Sequence, residues 1–519
     1  MADMIHKHEN REKKMSLERI RWEFQRSFYS FRRGPALALI PLEIAALLLV
    51  SAKGAGKIYM DLLPILIGIT VLSCFLVTFI HGNQRILLFA LTLLTVGTML
   101  QSIFRQEAVL KHPELYTGRS PAASLQLQYM IGLVLAILAG ILYWNLRSIS
   151  SIKIAEILTV ASFLISFATL ILAKSVGNVR NWIVIGGFSF QTTEIVKFLY
   201  LFIAAALLGT VEKPDKARLT AFYLISFMEM GFLVIQSEFG TLLLILMVFL
   251  TFLFLFVEDF KIFLGTVFSM AIAVFMVVTG GMQLEKLVAT GSKIGSNALV
   301  RAYLSNYHKI LNRFVYWMHP EKDSLGQGYQ LLKAKESIVL GGWFGTSSIT
   351  DLPVKTSDLV FPALIQRCGM IFALLVFLVF ILLWMEGMKV CVKKTDKYHC
   401  MMAVGLVSMF IDQTIIIIAG STGLCPLTGI TLPFISSGGS SLVISFVLVS
   451  LLLCISGNIS WKGQNSEKVK FFEKSTDCAE RVFAFGYRHV RIFVQNLGSH
   501  AGNLRRSRSE EGGGQTERI

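Results

Sequence analysis

Read as hydrophobic and polar positions, the chain is a series of long apolar runs parted by short polar breaks. Twelve runs stand out, at about 36–52, 62–80, 86–101, 127–145, 152–173, 191–209, 220–236, 241–257, 262–281, 361–386, 400–419 and 437–456. A bilayer core of ~30 Å takes about 20 apolar helical residues, with about 17 as the lower limit. Inside lipid every backbone amide must be bonded within its own segment, which favours helices. The pattern predicts an all-α fold: a polytopic membrane helical bundle of about 12 transmembrane helices. The runs do not alternate with period two, which excludes a transmembrane β-barrel. No internal repeat of runs is visible, which weakens an inverted-repeat transporter architecture.

Composition agrees with this class. The chain has 519 residues, 54% hydrophobic and 16% charged, with a mean hydropathy of +0.63; soluble chains carry roughly a quarter charged residues. The net charge of +16 changes the picture through its distribution. Basic residues crowd into 1–34, into the loop after 386 (Lys389, Lys393, Lys394, Lys397) and into the tail after 457. An even number of spans puts both ends on one side, and the positive-inside bias makes that side the cytoplasm. Residues 282–360 then lie outside. Their basic residues, among them Arg301, Lys309, Arg313, Lys333 and Lys355, suit an anionic substrate. The stretches LERIRWEFQRSFYSFRR and FAFGYRHVRIFV interleave aromatics with arginines, as interfacial pieces on anionic lipid do. The last residues, RRSRSEEGGGQTERI, read as a disordered tail. No nucleic-acid partner is expected, since no nucleic-acid-binding motif occurs. The seven cysteines form no CxxC pair and the nine histidines show no ligand spacing, so neither a disulfide framework nor a metal site is indicated. The N-terminus lacks signal-peptide form, because a long polar stretch precedes the first run.

Charges within spans are functional candidates by default. Glu194 and Lys197 lie at i and i+3 near the start of a span, on one helix face; they read as an interfacial ion pair or as the wall of a polar cavity. Arg180 and Trp182 precede them, and a tryptophan at a membrane boundary is by itself a belt anchor. In QSEFGT, Glu238 and Gly240 break two apolar runs, which a tight turn explains equally well. Pro and Gly in PEKDSLGQGYQ and GGWFG predict a folded rather than slack loop. GLCPLTGITLPFISSGGSS breaks the helical pattern at membrane depth, where irregular backbone needs burial in protein or a wet cavity. Asp358, in LPVKTSDLVFP, is a lone acid at the edge of a long run. It reads as a helix-N-terminal charge favoured by the dipole or as a catalytic carboxylate whose burial raises its pKa.

Five stretches in order, VRNWIVIGGFSFQTTEIVK, QSEFGT, PEKDSLGQGYQ, TSDLVF and PLTGITLPFISSGGSS, make the chain resemble the SEDS family, the FtsW/RodA/SpoVE group, over roughly residues 86–456. That group has a ten-helix core. The resemblance therefore implies an extra N-terminal helix pair at 35–82 and a core at 83–457 with its large extracytoplasmic loop at 282–360. A basic amphipathic cytoplasmic segment at 1–34 and a cytoplasmic basic tail at 458–519 flank them.

The resemblance implies a peptidoglycan glycosyltransferase of the bacterial cytoplasmic membrane that polymerises lipid II and releases undecaprenyl diphosphate. Asp358 matches the family's essential aspartate. Glu194 and Lys197 match its intramembrane pair, Arg180 and Trp182 its R-x-W element, and Glu238, Ser436, Gly438 and Gly439 fall in its cavity-lining motifs. Lys355 and Arg313 are added here as candidates for gripping diphosphate. A class B penicillin-binding protein is the implied partner, because the chain has no transpeptidase serine site. No protein metal site is expected, although a divalent cation (Mg or Mn) can accompany the diphosphate. Departures from the family pattern are Thr356 for a histidine, Gln366 and Arg367 for an acidic pair, Glu238 for an aspartate, Lys333 and Ala334 for a glutamine–serine, Ile417 for an asparagine and Ser437 for a tyrosine. They leave open a scaffold of the wall-synthesis machinery that has lost catalysis, and the cavity-lining charges and broken helices also fit a transporter of lipid-linked precursor.

Overall fold

The computed structural model describes residues 36–457 apart from 117–119, 147–151, 173, 177–178, 186–187, 212, 258, 291–296, 324, 347–350 and 394–395. The two expected cytoplasmic ends, 1–34 and 458–519, lie outside the described residues. Among the described residues there are fourteen α-helices. The first nine are α1 (Ala36–Ala52), α2 (Gly56–Phe79), α3 (Gln84–Lys111), α4 (Ala123–Leu146), α5 (Ile152–Leu172), α6 (Thr192–Gly209), α7 (Lys216–Ile235), α8 (Phe239–Phe256) and α9 (Phe260–Ala289). They are followed by α10 (Ala298–Met318), α11 (Gln327–Gly341), α12 (Val360–Lys393), α13 (Lys397–Thr422) and α14 (Gly439–Ser456). Eleven of them, α2–α9 and α12–α14, are long and apolar enough to cross a membrane. With 17 residues, α1 stands at the short end of what spans. All twelve expected runs are therefore helices, and the all-α membrane bundle holds.

Local chemistry starts these helices where the polar breaks fall. Asn83, Asp215, Asp259 and Asp396 cap α3, α7, α9 and α13, each accepting a backbone N–H of the first turn, which satisfies donors the helix leaves open. α3, α6, α13 and α14 are the inner helices, and most of their residues are buried. α9 is the outermost, with only Thr266 and Gly281 buried. Small residues let helices approach where lipid supplies no hydrophobic drive: Gly132 of α4 sits against the Phe446 ring of α14, and Gly405 of α13 against Phe252 and Leu201.

Two features depart from the expectation. Residues 174–191 carry a three-stranded antiparallel sheet, β1 (Lys174–Val176), β2 (Val179–Ile185) and β3 (Phe188–Gln191), with Trp182 opposite both Lys174 and Gln191. The span expected to end at 281 runs on to Ala289. The described residues of the remainder of 282–360 are folded, as the turn residues predict: α10 and α11 cap one end of the bundle. Tyr303 of α10 donates to the Val277 carbonyl at 2.7 Å, and Trp317 donates to the Gly423 carbonyl at 2.9 Å.

The broken segment between α13 and α14 lies beneath that cap. α13 ends at Gly423 in the left-handed conformation (φ 84), which favours glycine. The irregular backbone that follows is satisfied from inner helices: Gln413 donates to the Thr431 carbonyl at 2.7 Å and Gln101 to the Ile435 carbonyl at 2.9 Å. Its stretch 432–436 is buried in protein, the condition under which such backbone is tolerated at membrane depth. A cavity of about 390 Å³ between α2, α3, α4 and α14 is lined almost wholly by apolar side chains, without a charged residue, and it is not the site of the polar chemistry below.

Candidate active site

Asp358 closes a turn over residues 353–359 immediately before α12. The turn is strained: Val354 has φ 51, a conformation a β-branched residue rarely adopts and one that persists where surrounding contacts over-determine it. Those contacts are present. The Thr356 carbonyl accepts from Gln101 Nε2 at 3.1 Å and from the Ser437 N–H at 2.8 Å. Ser436 Oγ donates to the Ser357 carbonyl at 2.9 Å. The turn is thus bonded to α3 on one side and to the broken segment on the other.

Asp358 itself is half-buried. Its Oδ2 lies 3.5 Å from where a Cβ would stand on Gly429, which is in the left-handed conformation (φ 73). A side chain at 429 would be strained and would crowd the carboxylate. Burial pushes the Asp358 carboxyl above its ordinary value, while a hydrogen bond from Ser357 and the Arg313 guanidinium act in the opposite direction. Arg313, from the capping helix α10, donates to the Leu427 carbonyl at 3.2 Å and lies 5.2 Å over the Phe239 ring. Burial pulls its pKa below the ordinary value, opposed by Glu238 and Asp358. A cation thus stands between two acids from different elements.

Glu238 sits in the turn before α8 and accepts from Gln191 Nε2 at 2.7 Å; the Gln191 N–H reaches Ser440 Oγ at 3.4 Å. Lys309, one helical turn before Arg313, donates to Ser237 Oγ at 3.0 Å. Asp358, Arg313, Glu238 and Ser436 are therefore neighbours in one polar region under the α10 cap. Glu194 and Lys197 begin one turn beyond Gln191 in α6. Both are buried and they pair with each other at 2.9 Å; among the described residues no hydrogen bond or ion pair joins them to Asp358. Lys355 points towards α3, donating to Glu107 Oε2 at 2.6 Å. A Cβ on Gly438 would press on Thr431, so glycine there lets α14 start close to that residue, whereas one on Gly439 would meet Gln128 only at ordinary contact. The backbone of Arg180 and Trp182 lies on β2; their side chains fall outside what the structure describes.

Several acids escaped the sequence reading. Glu107 forms a buried ion pair with Arg367, a position marked in the sequence only as a departure from the family pattern. Glu229 of α7 is fully buried and accepts from Ser162 Oγ at 2.6 Å and Ser166 Oγ at 3.1 Å. Asp412 of α13 is buried, and its Oδ2 has no partner among the described residues. Glu229 and Asp412 each carry a signal in the sequence, a lone acid inside an apolar run. Among the described residues no three His, Cys, Asp or Glu side chains gather as metal ligands.

Known proteins resemble this chain in the same region. The profile of the FtsW/RodA/SpoVE family, described as cell cycle protein, matches residues 83–460. Stage V sporulation protein E of Bacillus subtilis (strain 168) is 30% identical over 327 residues, 60% of this chain and 80% of that protein. The probable peptidoglycan glycosyltransferase FtsW of Aliivibrio salmonicida (strain LFI1238) is 27% identical over 342 residues, 63% of this chain and 79% of that protein. A chain from a structure of a peptidoglycan synthase complex that coordinates polymerization and crosslinking aligns over 72% of this chain and 97% of its own length, with a TM-score of 0.56 at 19% identity. That likeness shows the shared fold. The profile takes in the Asp358 turn, the broken segment and all the spans after α2, and on that ground the chain belongs to the FtsW/RodA/SpoVE family of cell cycle proteins.

Proposed function

We propose that this multi-pass membrane protein is a peptidoglycan glycosyltransferase that polymerises lipid II into glycan strands at the outer face of the bacterial cytoplasmic membrane. The observation that carries the reading is Asp358: a half-buried carboxylate in a strained turn at the mouth of the bundle, with Arg313 beside it. Asp358 accepts the proton of the acceptor sugar's hydroxyl as the oxygen attacks the anomeric carbon of the donor chain. The new C–O bond forms as the bond from that carbon to the diphosphate breaks, and undecaprenyl diphosphate leaves with the electron pair. A base whose pKa burial raises suits the first step, and positive charge beside the departing diphosphate suits the second. Arg313 and Lys309 stand on the same face of α10 and supply that charge. A divalent cation, Mg or Mn, would enter with the diphosphate rather than occupy a protein site.

Two supports concern topology and partner. The positive-inside bias of the basic loops supports a topology with both termini in the cytoplasm, in which the α10–α11 cap and Asp358 face outward. The relative's name, a peptidoglycan glycosyltransferase, and the fold shared with a synthase complex favour a separate class B penicillin-binding protein as the cross-linking partner. The test is reconstitution with the cognate transpeptidase and lipid II, comparing wild type with Asp358→Ala. Polymer from wild type and none from the variant is expected. Lipid scrambling that survives the substitution, without polymer, would make the chain a transporter; neither activity would make it a scaffold.

A further inference from the structure

We propose that Glu107, near the end of α3, is a positioning residue that sets the Asp358 turn by holding both of its flanks at once. The sequence places Gln101, Phe104, Glu107 and Lys111 on one stripe of α3, since residues three and four apart share a helix face. That stripe lies along residues 351–367. Gln101 donates to the Thr356 carbonyl at 3.1 Å. Phe104 lies under the Lys355 ammonium at 5.6 Å. Lys111 pairs with Asp351 at 2.8 Å. Glu107 is the centre of the stripe, and its two oxygens are divided. Oε2 accepts from Lys355 Nζ at 2.6 Å, just before Asp358 in the chain; Oε1 accepts from Arg367 Nη2, on α12 beyond it.

The members of this clasp differ in what they do. Lys111 and Asp351 are exposed, with side-chain accessibilities of 48% and 83%, and an exposed pair contributes little. Glu107 and Arg367 are buried, at 9% and 6% exposure. Removing the acid there leaves two cations without their counter-charge, which a low-dielectric site does not tolerate in the same geometry. Lys355 is free to swing away from Arg367, and its motion carries the strained Val354–Leu359 turn with it. The Asp358 carboxylate then loses its setting against Gly429 and Arg313, without any group that touches substrate having been changed.

The inference rests on the glycosyltransferase reading for its kinetic arm, and the experiment keeps the two separable. In the reconstituted complex with lipid II, Glu107→Gln is expected to lower kcat by roughly 100-fold, the loss that a displacement of about 1 Å in a catalytic group can bring, with KM nearly unchanged. Glu107→Asp, which keeps the charge, recovers part of it. Lys111→Ala, the exposed control, behaves as wild type. A second arm needs no activity: hydrogen exchange at the Ser357 and Leu359 amides, both of which donate to the Val354 carbonyl, quickens in Glu107→Gln while α8 is unchanged. Should Glu107→Gln not fold, Lys355→Gln carries the exchange arm, which does not depend on any contact with substrate, since it leaves Glu107 paired with Arg367. Wild-type kcat, or a rise in KM alone, in a folded variant overturns the proposal, as does unaltered exchange in the turn. Absence of polymer from the wild-type complex overturns the glycosyltransferase reading alone, and the exchange arm still decides the role of Glu107.

Discussion

At Asp358 opposing influences act on one carboxyl. Burial raises its pKa, while a hydrogen bond from Ser357 and then the Arg313 guanidinium lower it, so its neighbours tune how much base is available at a given pH. A general base works deprotonated, so the acidic limb of the rate profile reports this group: activity rises as pH passes up through its pKa. Taking away the Arg313 charge removes a lowering influence. Arg313→Gln therefore moves the acidic limb of kcat/KM to higher pH, and a pH–rate series on wild type and variant reads the shift directly. A limb that stays in place would assign it to a group that the Arg313 charge does not reach, neither Asp358 nor Glu238. The same variant also removes positive charge beside the diphosphate, which lowers the plateau; limb and plateau are separate readouts of the two roles.

At the level of elements, α12 shows how a span is broken to admit the turn that follows α11. Gly369 interrupts it with φ 88 and ψ 165, a region open essentially to glycine alone, and the backbone of Trp343, Phe344 and Gly345 packs where a side chain would start. Gly369→Ala is expected to cost on the order of 1–3 kcal/mol, measured as a lowered unfolding temperature of the detergent-solubilised protein. Very little of this break was legible beforehand, because one glycine within a long apolar run gives no sign of a positive φ. The twelve runs themselves were legible, since lipid demands long apolar helices and the polar caps mark their starts. So was the broken segment after Gly423, whose Pro and Gly cannot continue a helix. The sheet at 174–191 was not: VRNWIVI is short, apolar and beside a span, and its pairing with SFQ becomes apparent only in three dimensions. Within the site, Asp358 was found from its motif, whereas Glu107 was not. Its importance comes from Lys355 and Arg367, far from it in sequence, and the Arg367 departure makes physical sense only once an acid is seen opposite it.

Across the whole molecule α3 joins two parts that the family profile separates. The profile begins at residue 83, and α1 and α2 lie before it. One region of α3 takes up that hairpin, another supports the Asp358 turn, and Gly97 passes so close to the Phe434 carbonyl that a side chain there would collide with it. The hairpin is fastened by one acid: Glu43 of α1 accepts from Tyr59 of α2 at 2.6 Å and from Thr95 of α3 at 2.7 Å. Two magnitudes compete in judging what that fastening contributes. An unsatisfied buried group in a soluble protein costs about 1–3 kcal/mol, but a hydrogen bond between membrane helices averages only about 0.6 kcal/mol, because the separated helices find other partners. The membrane value applies here, since Tyr59 and Thr95 are buried among spans. Glu43→Leu is therefore expected to destabilise the protein by roughly 1–2 kcal/mol, seen as a modest fall in unfolding temperature. Its kcat and the acidic limb of its pH profile should match wild type, because the substituted bonds lie away from the Gln101–Glu107 stripe. If kcat falls together with stability, α3 transmits strain from the hairpin to the Asp358 turn, and the added helices are then part of the catalytic support rather than an anchor alone.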